Sequence, residues 1–175
     1  GMYVEPICIA YAAQRACEER LCNMVLIPRG ADALPQLFAA GELSAITLNF
    51  PTPYPKRHHA RRRLVNVDHL LGFRQLLAPG GTVTLRTDSQ PLWEYAKSQF
   101  PAAGYEMLWI SDDVRAERPE FPETEYERRL TEKGARVYGI CATPGPAPDD
   151  ARIQEGRDAE QSLMRYLPDD LFSLD

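Results

Sequence analysis

The chain has 175 residues, 44% of them apolar, a formal charge of −5 and a pI near 5.3. That suits one domain with a proper core and is too short for two of ordinary size, while the acidic balance excludes a general nucleic-acid-coating protein. No apolar run reaches membrane-spanning length. Cys8, Cys17, Cys22 and Cys141 show no CxxC and no paired spacing with the histidines, so neither a metal site nor a disulfide framework is expected. They read as buried, reduced thiols of a cytoplasmic protein.

Residues 3–5 form a short apolar piece that ends in Glu5 and is closed by Pro6, like the end of a strand. Alanine-rich residues 9–20 favour a helix, and residues 24–27 a buried strand stopped by Pro28. Gly30 to Ala33 makes a turn in which Asp32 is placed to cap a short helix over residues 34–39. A strand over residues 45–49 follows, and then the least ordinary stretch of the chain.

That stretch carries Pro51, Pro53 and Pro55 at alternate positions, then five cations and two histidines within residues 56–63. Alternate prolines cannot enter a helix or a central strand and restrict the residues before them, so the loop is stiff and extended. A rigid loop leaving the carboxyl end of a strand lies where open α/β sheets bind ligands. A run of cations is by itself usually a solvated face. A solvated face has no need of stiffening, whereas a loop that presents Tyr54 to a base and Lys56, Arg57, Arg61, Arg62 and Arg63 to phosphates does.

Beyond the loop, Asn66 is a plausible helix N-cap, and Val67, Leu70, Leu71, Phe73, Leu76 and Leu77 recur at helical spacing until Ala78-Pro79-Gly80-Gly81 stops the helix. Residues 82–87 are a β-branched strand with Asp88 at its carboxyl end, facing the same edge as the basic loop. A helix over 90–100, a strand over 105–110, a proline-broken charged loop to residue 122, a helix over 123–133 and a strand over 137–141 complete the alternation. It predicts an α/β fold with a largely parallel sheet, helices on both faces and room for antiparallel closing strands. Residues 1–142 would form this domain. Residues 143–175 would be a proline-rich linker and a tail with an amphipathic helix over 151–167.

Four pieces in order resemble a known family: Leu48-Asn49-Phe50-Pro51-x-Pro53-x-Pro55-Lys56-x-His58-x-x-Arg61-Arg62, Leu77-x-Pro79-Gly80-Gly81, Thr87-Asp88, and Thr124-x-Tyr126-Glu127. Over roughly residues 3–142 the chain is similar to the bacterial tRNA (guanine-N7)-methyltransferases, class I enzymes with a Rossmann-like sheet that use S-adenosylmethionine. The resemblance implies that Glu5 holds the cofactor ribose, that Asp32 lies near the adenine, and that Asn49 belongs to the cofactor-binding loop. It puts Lys56, Asp88, Thr124 and Glu127 at substrate-contacting positions, and Arg57, Arg61, Arg62 and Arg63 against tRNA phosphates. The chemistry is consistent: the N1–H and N2–H₂ donors of guanine need carboxylate acceptors such as Asp88 or Glu127. The reactive N7 already has a lone pair and needs only alignment and stabilisation of the cation that forms.

Two departures divide the expectations. Thr52 stands at the catalytic position where the family has Asp, and Tyr54 where it has Trp. The chain also starts at what corresponds to the family's second strand, so the first strand and its glycine-rich cofactor loop are expected to be missing and S-adenosylmethionine to be held weakly. Two readings result: a methyltransferase of tRNA, or a non-catalytic tRNA-binding paralogue that has lost the cofactor site. For the sheet, direct pairing of residues 3–5 with residues 45–49 is the simplest repair. A homodimer or a partner chain completing the sheet is the alternative.

Overall fold

Glu5 is followed by Pro6, whose fixed φ suits the first helical position, and helix α1 (Pro6–Glu18) begins there, three residues earlier than alanine content alone suggests. The computed structural model describes residues 1–166 and divides into two compact units, Gly1–Ala39 and the chain from Ala40 onward. In the first unit Met2 bridges Ile27 in parallel, with Tyr3 N–H donating to Ile27 O at 3.2 Å. The two strands expected over residues 3–5 and 24–27 reduce to this bridge. Asp32 lies in a tight helical turn (Ala31–Ala33) ahead of helix α2 (Leu34–Leu37), and its carboxylate caps neither. Cys8, Cys17 and Cys22 are exposed free thiols; of the four cysteines only Cys141 is buried as expected.

The second unit runs β1 (Leu43–Asn49), a tight helical turn (Arg57–Arg62), α3 (Val67–Leu76), β2 (Leu77–Thr87), α4 (Gln90–Ala102), β3 (Tyr105–Ser111), α5 (Val114–Glu117), α6 (Glu125–Thr131), β4 (Tyr138–Pro144), α7 (Asp150–Asp158) and a last helical turn (Leu163–Tyr166). The four strands are ordered β1-β2-β4-β3. β1 and β2 are parallel, and β4 runs antiparallel to both β2 and β3. The chain is therefore α/β with antiparallel closing strands. The expected pairing of residues 3–5 with β1 is not formed: β1 stands first in the sheet order and pairs with β2, while Met2 pairs with Ile27.

Local chemistry explains most boundaries. Asn66 caps α3 as expected, its Oδ1 accepting from His69 N–H at 2.9 Å. Ala78-Pro79-Gly80-Gly81 does end the helix, yet it lies inside β2 as a bulge between the pairs Leu43 with Leu77 and Ala45 with Thr82. Gly81 is required there, since a Cβ would come within 2.9 Å of Ala78 O and 3.2 Å of Leu43 O. Val83, Leu85, Ile140 and Ala142 of the two central strands are fully buried, as are Leu70 of α3 and Ala96 and Phe100 of α4.

Residues after β4 are held by specific bonds to the sheet unit. Gly145 N–H donates to Gly104 O at 2.9 Å, and the Arg74 guanidinium donates to Gly104 O at 2.6 Å and also to Gly145 O. Fully buried Gln99 accepts from Val67 N–H at 3.0 Å and donates to Gly156 O at 2.9 Å, joining the start of α3 to α7. The helix expected over 151–167 is split into α7 and the last helical turn, with Leu163 buried and Leu167 outside the described residues. Among the described residues no helix is long and apolar enough to cross a membrane. Replacing Gln99 by Leu keeps the volume but orphans the Val67 donor and takes one of two side-chain donors from Gly156 O. The expected loss is about 1–3 kcal/mol, read from the urea denaturation midpoint.

Candidate functional site

The loop from residue 50 to residue 63 begins with an abrupt change of direction. Phe50 still extends the strand pairing, its N–H donating to Arg86 O at 2.8 Å, but its φ is 49°, and Tyr54 adopts φ 46°. Bulky residues in the left-handed region cost about 1–3 kcal/mol each and persist only where surrounding contacts over-determine them. At Tyr54 the overdetermining group is Arg63, while Phe50 packs against the Tyr126 ring at 4.9 Å. Arg63 Nε donates to Pro53 O and Tyr54 O, both at 3.1 Å, and its Nη2 donates to Tyr54 O at 2.8 Å. The guanidinium also lies 4.6 Å from the centre of the Tyr95 ring. Arg63 is fully buried, so the structure removes it from the expected phosphate-contacting set and makes it the internal brace of the loop.

Lys56, Arg57, Arg61 and Arg62 remain exposed around that brace, with Ala60 buried beneath them. His58 and His59 stack edge to face at 4.1 Å, and the Tyr54 ring lies 6.0 Å from His59. Desolvation, then the charges of His58, Arg62 and Lys56, hold the His59 pKa below the usual imidazole value. Thr52 is exposed in the same loop.

The carboxyl ends of the parallel strands β1 and β2 supply the second part of the site. Arg86 Nε donates to Asn49 Oδ1 at 3.0 Å, while its Nη1 donates to Pro122 O at 2.8 Å and reaches Glu127 Oε2 at 3.2 Å. Glu127 is fully buried, and its other oxygen lies 2.6 Å from Arg115 Nε. Arg115 in turn donates to Phe121 O at 3.1 Å. Burial lowers the Arg86 pKa, Glu127 works against that, and Arg115 adds to it. Thr124 and Glu127 form a reciprocal capping box at the start of α6: Glu127 N–H donates to Thr124 Oγ1 at 3.1 Å, and Thr124 N–H donates to Glu127 Oε2 at 3.4 Å. The expected substrate carboxylate Glu127 is thus engaged with two arginines and a helix start, whereas Asp88, one residue beyond β2, is exposed.

Arg86 and Arg115 were not foreseen from sequence. Arg86 had a signal, a lone charge inside a β-branched strand, but Arg115 lies in a charged loop where nothing distinguishes it from its neighbours. Within the first unit, Glu5 is exposed at the start of α1 and Asp32 is exposed beyond Ile27, so both acids follow the carboxyl ends of the bridged segments. Gly30 leaves room for Asp32, because a Cβ there would meet Asp32 Oδ1 at 2.5 Å.

Residues 1–140 match a family model described as "Putative methyltransferase". A tRNA (guanine-N(7)-)-methyltransferase from Brevibacillus brevis is 35% identical over 134 residues, covering 75% of this chain and 63% of that protein. Another from Limosilactobacillus reuteri is 32% identical over 144 residues, covering 81% and 68%. This chain belongs to the tRNA (guanine-N7)-methyltransferase family. It spans about two thirds of the length of those relatives, 63% of the first and 68% of the second.

Solved structures share the fold. A variant of the 16S rRNA (adenine(1408)-N(1))-methyltransferase from Catenulisporales acidiphilia superposes with TM-score 0.55 at 16% identity, over 85% of this chain and 74% of that one. An rRNA methylase from Streptococcus thermophilus gives 0.52 at 12% identity, over 83% and 72%. The sheet is thus that of a Rossmann-like methyltransferase. In this family member, Asn49, Arg86, Glu127 and Arg115 form one connected network under the carboxyl ends of β1 and β2. Replacing Glu127 by Ala would leave the nearly buried Arg86 without its carboxylate. An expected loss of about 3–5 kcal/mol would appear as a lowered chemical denaturation midpoint.

Proposed function

We propose that this chain methylates guanine N7 in tRNA, using S-adenosylmethionine as donor, in the cytoplasm. The observation that supports the reading best is the juxtaposition of two neighbouring parallel strand ends. β1 leads into a stiff loop with exposed Lys56, Arg57, Arg61 and Arg62, and β2 ends beside exposed Asp88. That is the edge where open α/β sheets take ligands. The cations suit phosphates, and the Asp88 carboxylate suits the N1–H and N2–H₂ donors of a guanine. Glu127 is already engaged with Arg86 and Arg115, so Asp88 takes the base-reading role and Glu127 a supporting one.

Within the first unit, Glu5 and Asp32 are exposed carboxylates that follow parallel segments and suit ribose hydroxyls and an adenine amino group. Within the second, the Asn49 carboxamide has its oxygen fixed by Arg86. S-adenosylmethionine, when bound, supplies an electrophilic methyl group on a sulfonium. Asp88 would orient the guanine so that its N7 lone pair meets that methyl group. No base is needed, and Thr52 offers a hydroxyl dipole to the cationic product where the family has a carboxylate. Thr52 is also the observation that favours the second reading, a tRNA-binding paralogue without catalysis.

Purified protein incubated with unmodified tRNA and S-adenosylmethionine is expected to yield 7-methylguanosine on mass spectrometry of the digested RNA. Undiminished tRNA binding with no methylated product, and no calorimetric heat with S-adenosylmethionine, would select the paralogue instead. Changing Arg57, Arg61 and Arg62 together to Ala is expected to lower the slope of log affinity against log salt by about two to three units. An unchanged slope would return these side chains to a merely solvated face. Because the His59 pKa lies below its usual value, His59 gains its charge only at a lower pH than an ordinary imidazole. tRNA affinity is therefore expected to rise on acidification below about pH 6.5, and less steeply after His59→Gln.

A further inference from the structure

The alternate prolines create a donor shortage. Pro51, Pro53 and Pro55 have no N–H, while the carbonyls of Pro53, Tyr54 and Pro55 turn inward, so their hydrogen-bond donors must come from elsewhere. Arg63 supplies some of them. Another comes from the C-terminal segment, where Leu163 N–H donates to Pro55 O at 3.0 Å. The same segment takes a bond from the brace, Arg63 Nη2 donating to Gln161 O at 2.6 Å.

The tail is itself held in register. The Gln161 carboxamide donates to Ala159 O at 2.8 Å and Arg157 O at 3.1 Å, closing the carbonyl end of α7, and accepts from the Tyr95 hydroxyl at 3.1 Å. Tyr95 also underlies the Arg63 guanidinium, so one buried ring of α4 contacts both partners. A planar guanidinium with several donors in fixed directions can serve the loop and the tail together, which an ammonium cannot.

We propose that Arg63, Tyr95 and Gln161 are positioning residues, forming a latch by which the C-terminal segment sets the presentation of the basic loop to RNA. The inference rests on the tRNA-binding reading for its consequence but not for its existence. None of the three need touch the nucleic acid: Arg63 and Tyr95 are fully buried, and the Gln161 carboxamide is bound to α7.

The test uses full-length Tyr95→Phe, Gln161→Ala, Arg63→Lys and Arg63→Gln, with Arg61→Ala as a direct-contact control. Hydrogen exchange is read without RNA, and filter binding of unmodified tRNA is read across a salt series. The latch predicts exchange at least about tenfold faster, confined to Leu163, His59 and Arg63, with the global unfolding midpoint little changed in Tyr95→Phe. It also predicts tRNA affinity about fivefold weaker in Tyr95→Phe and Gln161→Ala, with the salt slope unchanged, the size of one lost hydrogen bond. Arg61→Ala should instead lower the slope by about 0.7 to 0.9. Arg63→Lys keeps the charge and should still fail to restore protection.

Unchanged exchange at these amides in Tyr95→Phe and Gln161→Ala would overturn the latch. So would a slope lowered by about one unit in Arg63→Gln, which would make Arg63 a phosphate contact. If the unaltered protein does not bind tRNA, the functional reading fails, and the exchange measurement still decides the latch.

Discussion

Buried and half-buried guanidinium groups serving backbone carbonyls are the constraint on which the second unit depends. Loops at the carboxyl end of a sheet collect carbonyls, and prolines in them withhold N–H groups. Arg63 serves Pro53 and Tyr54, Arg86 serves Pro122, and Arg115 serves Phe121. Arg86 anchors its loop from within β2, whereas Arg63 and Arg115 brace the loops they belong to. Burying such charges is costly, and the cost is offset where a carboxylate or several oriented dipoles accept from the same group. Glu127 plays that part for Arg86 and Arg115, and a ring of carbonyls with the face of Tyr95 plays it for Arg63.

The local grammar of the chain was legible. Asn66 was recognisable as a cap because its side chain acts within three residues, and the Thr-x-x-Glu pattern is itself a capping box. The place of Asp88 at the end of a β-branched run was legible too, one residue beyond β2. Long-range pairing was not legible. Arg63 looks like Arg61 and Arg62 in a sequence, and only the approach of Tyr95 and Gln161 distinguishes it. Glu127 was read as facing substrate because nothing near it in sequence announces Arg86. Asp32 was read as a cap, which is the common use of an acid before a helix, yet its carboxylate makes no such bond.

The first unit shows how little local propensity decides alone. α1 has no buried residue, and Ile7, Tyr11 and Val25 are each at least 70% exposed. Alanine content is enough to specify the helix, but a strand needs a neighbour along its whole length, and residues 24–27 make one bridge. The two acids implied as cofactor ligands nevertheless both follow the carboxyl ends of segments that run parallel at Met2 and Ile27.

The bond from Arg63 to Gln161 spans 98 positions of sequence. At roughly 5–20 residues per second, a ribosome needs about 5–20 s to pass from one partner to the other. For that interval the nascent chain already carries its prolines and cations without the carbonyl that completes the brace. The basic surface is therefore completed only once residue 163 is made, and a polypeptide interrupted before it would display the cations on a loop still lacking the Leu163 donor.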